Sequence, residues 1–232
     1  MNSLLLQIPT VTDSLAAPVI TEKTLSVIDL ITSGGIGGNL VMGALGILSI
    51  FAIYILIERF SAIRKASIED DAFLKSIQNF VEAKDIEAAK TLCRNTDSPI
   101  SRMIEKGVNR INKPMTDISA AIENQGKLEV FKMENNLANL ATISGAAPMI
   151  GFLGTVIGMI VAFHEMASAG GNIDVEMLSK GIYTAMTTTV AGLIVGIIAF
   201  IAYNYLVSKV DKVVFMLEAK TTEFLDLLHH NE

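Results

Sequence analysis

The sequence predicts an all-α integral membrane protein with three transmembrane helices, two of which extend into a helical cytoplasmic domain. Three observations carry this. Apolar residues make up 51% of the 232 positions and charged residues only 18%. The mean hydropathy of +0.49 is high for a soluble domain. The charges are unevenly spread and leave three long windows with none. These are "NLVMGALGILSIFAIYILI" (39–57), "LANLATISGAAPMIGFLGTVIGMIVAF" (137–163) and "IYTAMTTTVAGLIVGIIAFIAYNYLV" (182–207). Each meets or exceeds the roughly 20 residues that cross ~30 Å of hydrocarbon. The last two are long enough to tilt or to project beyond the bilayer.

Residues 1–38 precede the first span. The opening "MNSLLLQIPTVTDSLAAP" lacks a basic n-region, so it reads as a loose tail rather than a signal sequence. Farther on, Leu25, Ile28 and Ile31 share one helical face before Gly34 and Gly35. This spacing predicts a short amphipathic helix on the outer membrane surface or against the protein itself.

Residues 58–136 carry 13 Lys/Arg and 13 Asp/Glu, a balanced and soluble composition. They read as helices throughout. Asp85 can cap "IEAAKTLCRN", and Ser98-Pro99 is a cap followed by proline at the first helical position. Ile100, Ile104 and Val108 then share a face. After Pro114 a long helix is expected to run unbroken into the second span. The third span continues as "SKVDKVVFMLEAKTTEFLDLL", a helical cytoplasmic tail (208–232) with apolar residues at helical spacing.

Orientation follows from the cations near the span ends. Arg59, Arg64, Lys65 and Lys75 follow span one, Lys127 and Lys132 precede span two, and Lys209, Lys212 and Lys220 follow span three. The tail has only Lys23, and the loop 164–181 only Lys180. The amino terminus and this loop are therefore expected outside, and the middle domain and carboxyl terminus in the cytoplasm. Cys93 lies in that middle domain, a reducing setting without disulfides.

No glycine-rich phosphate loop, metal cluster or nucleophile–base pair is present. An enzyme is not expected, nor a cofactor, a metal or a nucleic-acid partner. None of the three spans contains Asp, Glu, Lys, Arg or His. Proton carriers in membranes usually need such a group. If this chain serves an ion-driven machine, a partner must bring the carboxylate.

What the spans do contain is small and hydroxylated residues. Ser144, Pro148, Gly151, Thr155, Gly158 and Ala162 fall on one side of span two. Gly181, Thr184, Thr188, Ala191 and Val195 form a stripe on span three, with Ala185, Thr189, Gly192 and Gly196 beside it. Two readings stay open. Small residues let helices approach closely while threonines bond to backbone. Alternatively, the stripes line a cavity for another helix, water or an ion.

"GAAPMIGFLGTVIGMIVAF", followed by "GIYTAMTTTVAGLIVGIIAFIAYNYL", resembles the paired signature of the MotA/TolQ/ExbB proton-channel family. The three-span layout is similar to its ExbB and TolQ branches, ExbB foremost; the MotA branch has a fourth span. The resemblance implies a ring-forming homo-oligomer, a pentamer, in the bacterial inner membrane. It implies a single-span ExbD/TolR-type partner bearing an intramembrane Asp, and a TonB/TolA-type protein energised by the proton motive force. The family's pore hydroxyls fall on Thr155 and Thr189, with Thr184 and Thr188 near them. Pro148, Gly151, Gly154, Gly158 and Gly192 fall at packing positions. At Thr184 many relatives carry Glu, which leaves H⁺ or Na⁺ open as the driving ion. A TolQ-like envelope motor, a self-sufficient channel and a membrane scaffold without ion coupling are the alternatives.

Overall fold

The computed structural model describes residues 35–67, 71–168 and 175–230. The expected surface helix around Leu25–Ile31 and the centre of the loop 164–181 lie outside these residues. Seven helices are described: α1 (Gly35–Ala66), α2 (Asp71–Glu82), α3 (Ile86–Asn95), α4 (Pro99–Val108), α5 (Met115–Glu134), α6 (Leu137–Ser168) and α7 (Val175–His230). Among the described residues there is no strand.

Among the described residues, α1, α6 and α7 hold the three helical stretches long and apolar enough to cross a membrane. Each apolar window sits inside a longer helix. The helix continues past the window because backbone hydrogen bonding does not stop where hydropathy falls. α6 and α7 are antiparallel neighbours, and α1 packs against both. Ile47, Ile50, Phe152, Ile160, Ile194 and Ile201 point outward, more than half exposed. A soluble protein rarely leaves so continuous an apolar surface bare.

α2–α5 form a small bundle around the far end of α7. Asp85 caps α3 by accepting from the Ala88 N–H at 3.0 Å. Ser98 and Ser101 cap α4 reciprocally, each side chain accepting from the other's backbone N–H. Ile100, Ile104 and Val108 are buried as one face, in a core shared with Ile118 and Ile122 of α5 and Phe224 of α7.

One expectation is corrected. The helix after Pro114 does not run unbroken into the second span. α5 ends at Glu134, and α6 begins at Leu137. Asn135 adopts ψ 139° and Asn136 a left-handed φ of 64°. Asparagine tolerates that region better than other side-chain-bearing residues. Asn136 then accepts from the Leu140 N–H through its carbonyl (3.2 Å) and from Asn139 through its side chain (3.3 Å). The new helix thus gains two local bonds at its start. α7, by contrast, is continuous over 56 residues.

Candidate functional site: the hydroxyl seam between α6 and α7

The seam is built from residues that lack bulk. A Cβ added at Gly192 would lie 2.6 Å from the Ala147 carbonyl oxygen and 2.9 Å from the Cα of Gly151. No real side chain fits there, so the two backbones touch. Toward one end of the seam, Gly158 meets Ala185, and Gly181 meets Ala162. Toward the other, the Pro148 ring packs on Gly196. Proline has no N–H, so the Ser144 carbonyl in the preceding turn loses its usual donor. Gly154 faces the third helix as well: its bare Cα sits between Thr188 and Val41 of α1.

Such closeness brings polar atoms of both helices within reach. Thr155 of α6 and Thr189 of α7 are hydrogen-bonded hydroxyl to hydroxyl. Thr155 also reaches the Ala185 carbonyl at 3.2 Å, and Thr189 the Gly151 carbonyl at 3.1 Å. Thr188 lies 3.1 Å from the same Gly151 oxygen and 2.7 Å from that of Ala185. Each hydroxyl has one proton and two acceptor lone pairs. Three protons therefore serve a larger set of acceptors, and lone pairs remain on Thr155 and Thr189. Both of these residues are partly exposed. The arrangement suits hydrating or coordinating a hard cation, or solvating a carboxylic acid. It does not titrate by itself.

The four threonines singled out from the sequence separate into two pairs. Thr155 and Thr189 come together at the partly open edge of the seam. Thr188 is 1% exposed, enclosed between α6 and α1. Thr184 is buried one turn away, bonded to the Lys180 carbonyl at 2.9 Å and close to Gly38 of α1. Thr187, on another face, bonds the Tyr183 carbonyl. The carbonyls of Gly151 and Ala185 are members of the site that residue types do not reveal, because every residue has one. A stripe of small residues opposite threonines is their only signal in the sequence.

A second polar cluster ties the extramembrane bundle together. Glu129, 2% exposed, accepts from Arg102 (2.8 Å), Lys132 (2.9 Å) and Gln125 (2.7 Å). Asp97 accepts from Arg102 and from Lys65 at the end of α1. Burial pushes the Glu129 carboxyl up, but the hydrogen bonds from Arg102 and Lys132 outweigh it and hold it below the usual range. Arg59 donates to the Lys132 carbonyl at 2.9 Å, fastening α1 just ahead of the Asn135–Asn136 break. Among the described residues, no three His, Cys, Asp or Glu side chains converge as metal ligands would.

Known proteins are similar to the part of the chain that holds this seam. Residues 95–219 match the MotA/TolQ/ExbB proton channel family. A "Putative biopolymer transport protein ExbB homolog" of Methanothermobacter thermautotrophicus is 28% identical over 80% of this chain and 64% of its own length. The "Biopolymer transport protein ExbB" of Helicobacter pylori is 40% identical over 34% of this chain and 54% of its own length. The "Tol-Pal system protein TolQ" of Pseudomonas aeruginosa is 25% identical over 91% of this chain and 96% of its own length. The chain thus spans under two thirds of the two ExbB relatives and nearly all of the TolQ protein. The matched segment runs from α3 through the Thr155–Thr189 seam to the extramembrane half of α7, and the chain belongs to the MotA/TolQ/ExbB proton channel family.

Proposed function

We propose that the chain is the ring subunit of an ion-driven motor in the bacterial inner membrane, of the ExbB type, energising TonB-dependent outer-membrane transport. Several copies, five by family resemblance, surround the helices of a single-span ExbD-type protein. That partner contributes the Asp that this chain's spans lack. The observation carrying the reading is the Thr155–Thr189 hydroxyl pair at the edge of a seam whose spans hold no Asp, Glu, Lys, Arg or His. In this reading, Thr155 and Thr189 line the lumen and hydrate the partner's carboxyl. Thr184 and Thr188, enclosed by α1, fasten the three helices instead. The amino terminus lies in the periplasm, and α2–α5 and the end of α7 in the cytoplasm, following the cations.

The test is complementation. Co-expressed with its single-span partner in a bacterium lacking its own ExbB, the chain should restore TonB-dependent uptake. Uptake should cease when the proton gradient is collapsed, and also when the partner's Asp is changed to Asn. Uptake that persists after collapse of both proton and sodium gradients would sink the motor reading and favour a scaffold. A TolQ-like role is the second reading, favoured by the nearly full-length alignment with the Pseudomonas aeruginosa protein. Restored envelope integrity in a strain lacking TolQ, without restored uptake, would decide for it.

A further inference from the structure

A separate feature lies where the apolar part of α1 meets its first cations. Two cavities, of about 560 and 370 Å³, open between α1 and α7 and share Phe60, Arg64 and Tyr205. The first is walled by Leu56 and Ile57, within the apolar window. The second reaches Ser67 and Lys209, a turn or more farther from it. Phe60 and Tyr205 stack at 6.3 Å between the two levels, and the Lys209 ammonium sits 5.4 Å from the Tyr205 ring centre. The groove therefore grades from aliphatic to aromatic to cationic along α1.

Neighbouring cations are already engaged. Arg59, Lys65, Arg102 and Lys132 all pair with carboxylates. Among the described residues, Arg64 and Lys209 pair with none. Both are exposed and border the cavities.

We propose that this groove binds an anionic phospholipid of the adjoining leaflet. The phosphate sits between Arg64 and Lys209, where charge-assisted hydrogen bonds are available. The glycerol region meets the Phe60–Tyr205 pair, since aromatic rings favour the interface. An acyl chain follows Leu56 and Ile57. A free phosphate offers the same headgroup chemistry but would leave the aliphatic wall unused. Tyr205 and Lys209 lie about 160–200° round α7 from Thr189, at ~100° per residue. The groove thus faces away from the hydroxyl seam. It needs only that α1 and α7 cross a membrane, and it is independent of which ion the seam serves.

The test uses the purified full-length chain in detergent, with bound lipid counted by native mass spectrometry. Dioleoylphosphatidylglycerol should bind about 10- to 30-fold more tightly than dioleoylphosphatidylcholine, the order expected for two interfacial cations. The R64Q/K209Q variant should lose that preference, and R64K/K209R should keep it. K75Q/K212Q removes the same charge elsewhere and should bind as the wild type does. Circular dichroism confirms helicity for each. Undiminished phosphatidylglycerol binding in R64Q/K209Q overturns the proposal. So does an equal loss in K75Q/K212Q, which would mean diffuse charge attraction. Inorganic phosphate displacing the lipid at equal concentration would make the site one for free anions, and would overturn it too.

Discussion

Thr155 and Thr189 meet hydroxyl to hydroxyl across the α6–α7 seam, while Thr188, one residue from Thr189, is turned into the subunit interior. Adjacent positions on one helix thus sit in different surroundings, and substitutions at the two should act differently. T155V and T189V should each abolish transport while ring assembly and melting temperature stay near wild type. T188V should keep the helix shape yet remove a buried hydroxyl that bridges Gly151 and Ala185, lowering stability by about 0.5–1.5 kcal/mol. Uptake assays, with size-exclusion chromatography of the complex, read both. Full uptake in T155V and T189V would remove the lumen assignment.

Close backbone approach yields a contrast between glycines. Gly192→Ala forces a methyl group against the Ala147 carbonyl and the Gly151 Cα. Overpacking of this kind costs about 1–3 kcal/mol. Gly145 lies in the same helix as Gly151, with nothing within 4 Å of an added Cβ. Gly145→Ala should therefore raise stability by about 0.5–1 kcal/mol, since alanine is the better helix former. Thermal unfolding in detergent should move in opposite directions for the two. Equal shifts would mean that the seam is looser than described.

Glu129 predicts a pH dependence. Its folded-state pKa lies below the ordinary carboxylate value, because Arg102 and Lys132 hold the ionised form. A depressed folded pKa adds stability that is complete above the unfolded value of about 4.3 and is lost as pH falls through the folded one. Melting temperature should therefore fall as the medium is acidified from pH ~5. In Glu129→Gln the slope should be shallower, at a cost of about 1–3 kcal/mol at neutral pH for the broken charged bonds. Parallel wild-type and variant curves over that interval would assign the acid sensitivity to other carboxylates.

Cys93 is expected to be inert. Burial, aided by the negative charge of Glu105, pushes its thiol up to about 12. At pH 8 almost no thiolate exists, and the sulfur is enclosed. A thiol-specific disulfide reagent should label the native chain at least tenfold more slowly than the denatured one. Rapid native labelling would indicate that α3 opens readily from the bundle.

The sequence makes the spans, the α3 and α4 caps and the Ile100–Ile104–Val108 face legible, because each depends on local chemistry: charge-free length, a capping oxygen, a helical period. The division of the threonines is not legible. A helical wheel places Thr184, Thr188 and Thr189 within about 140° of one another but does not say which neighbour covers which angle. That depends on α1, whose Val41 reaches Gly154 beside Thr188. The Asn135–Asn136 break is hidden for another reason. Asparagine is only mildly unfavourable in a helix interior, so two of them among good helix formers do not announce a stop.

That break gives the two long arms different mechanical characters. α7 is one strut, ~84 Å long at ~1.5 Å per residue, most of it beyond the ~30 Å of hydrocarbon. An unbroken run of backbone hydrogen bonds links its membrane end to its far end. The route through α6 is interrupted at Asn135–Asn136, where no backbone helix carries the twist across; there Arg59 holds the Lys132 carbonyl and Glu58 hydrogen-bonds Asn136. A rotation of the spans would thus reach the α2–α5 bundle by continuous backbone along α7, but along α6 only across a two-residue interruption.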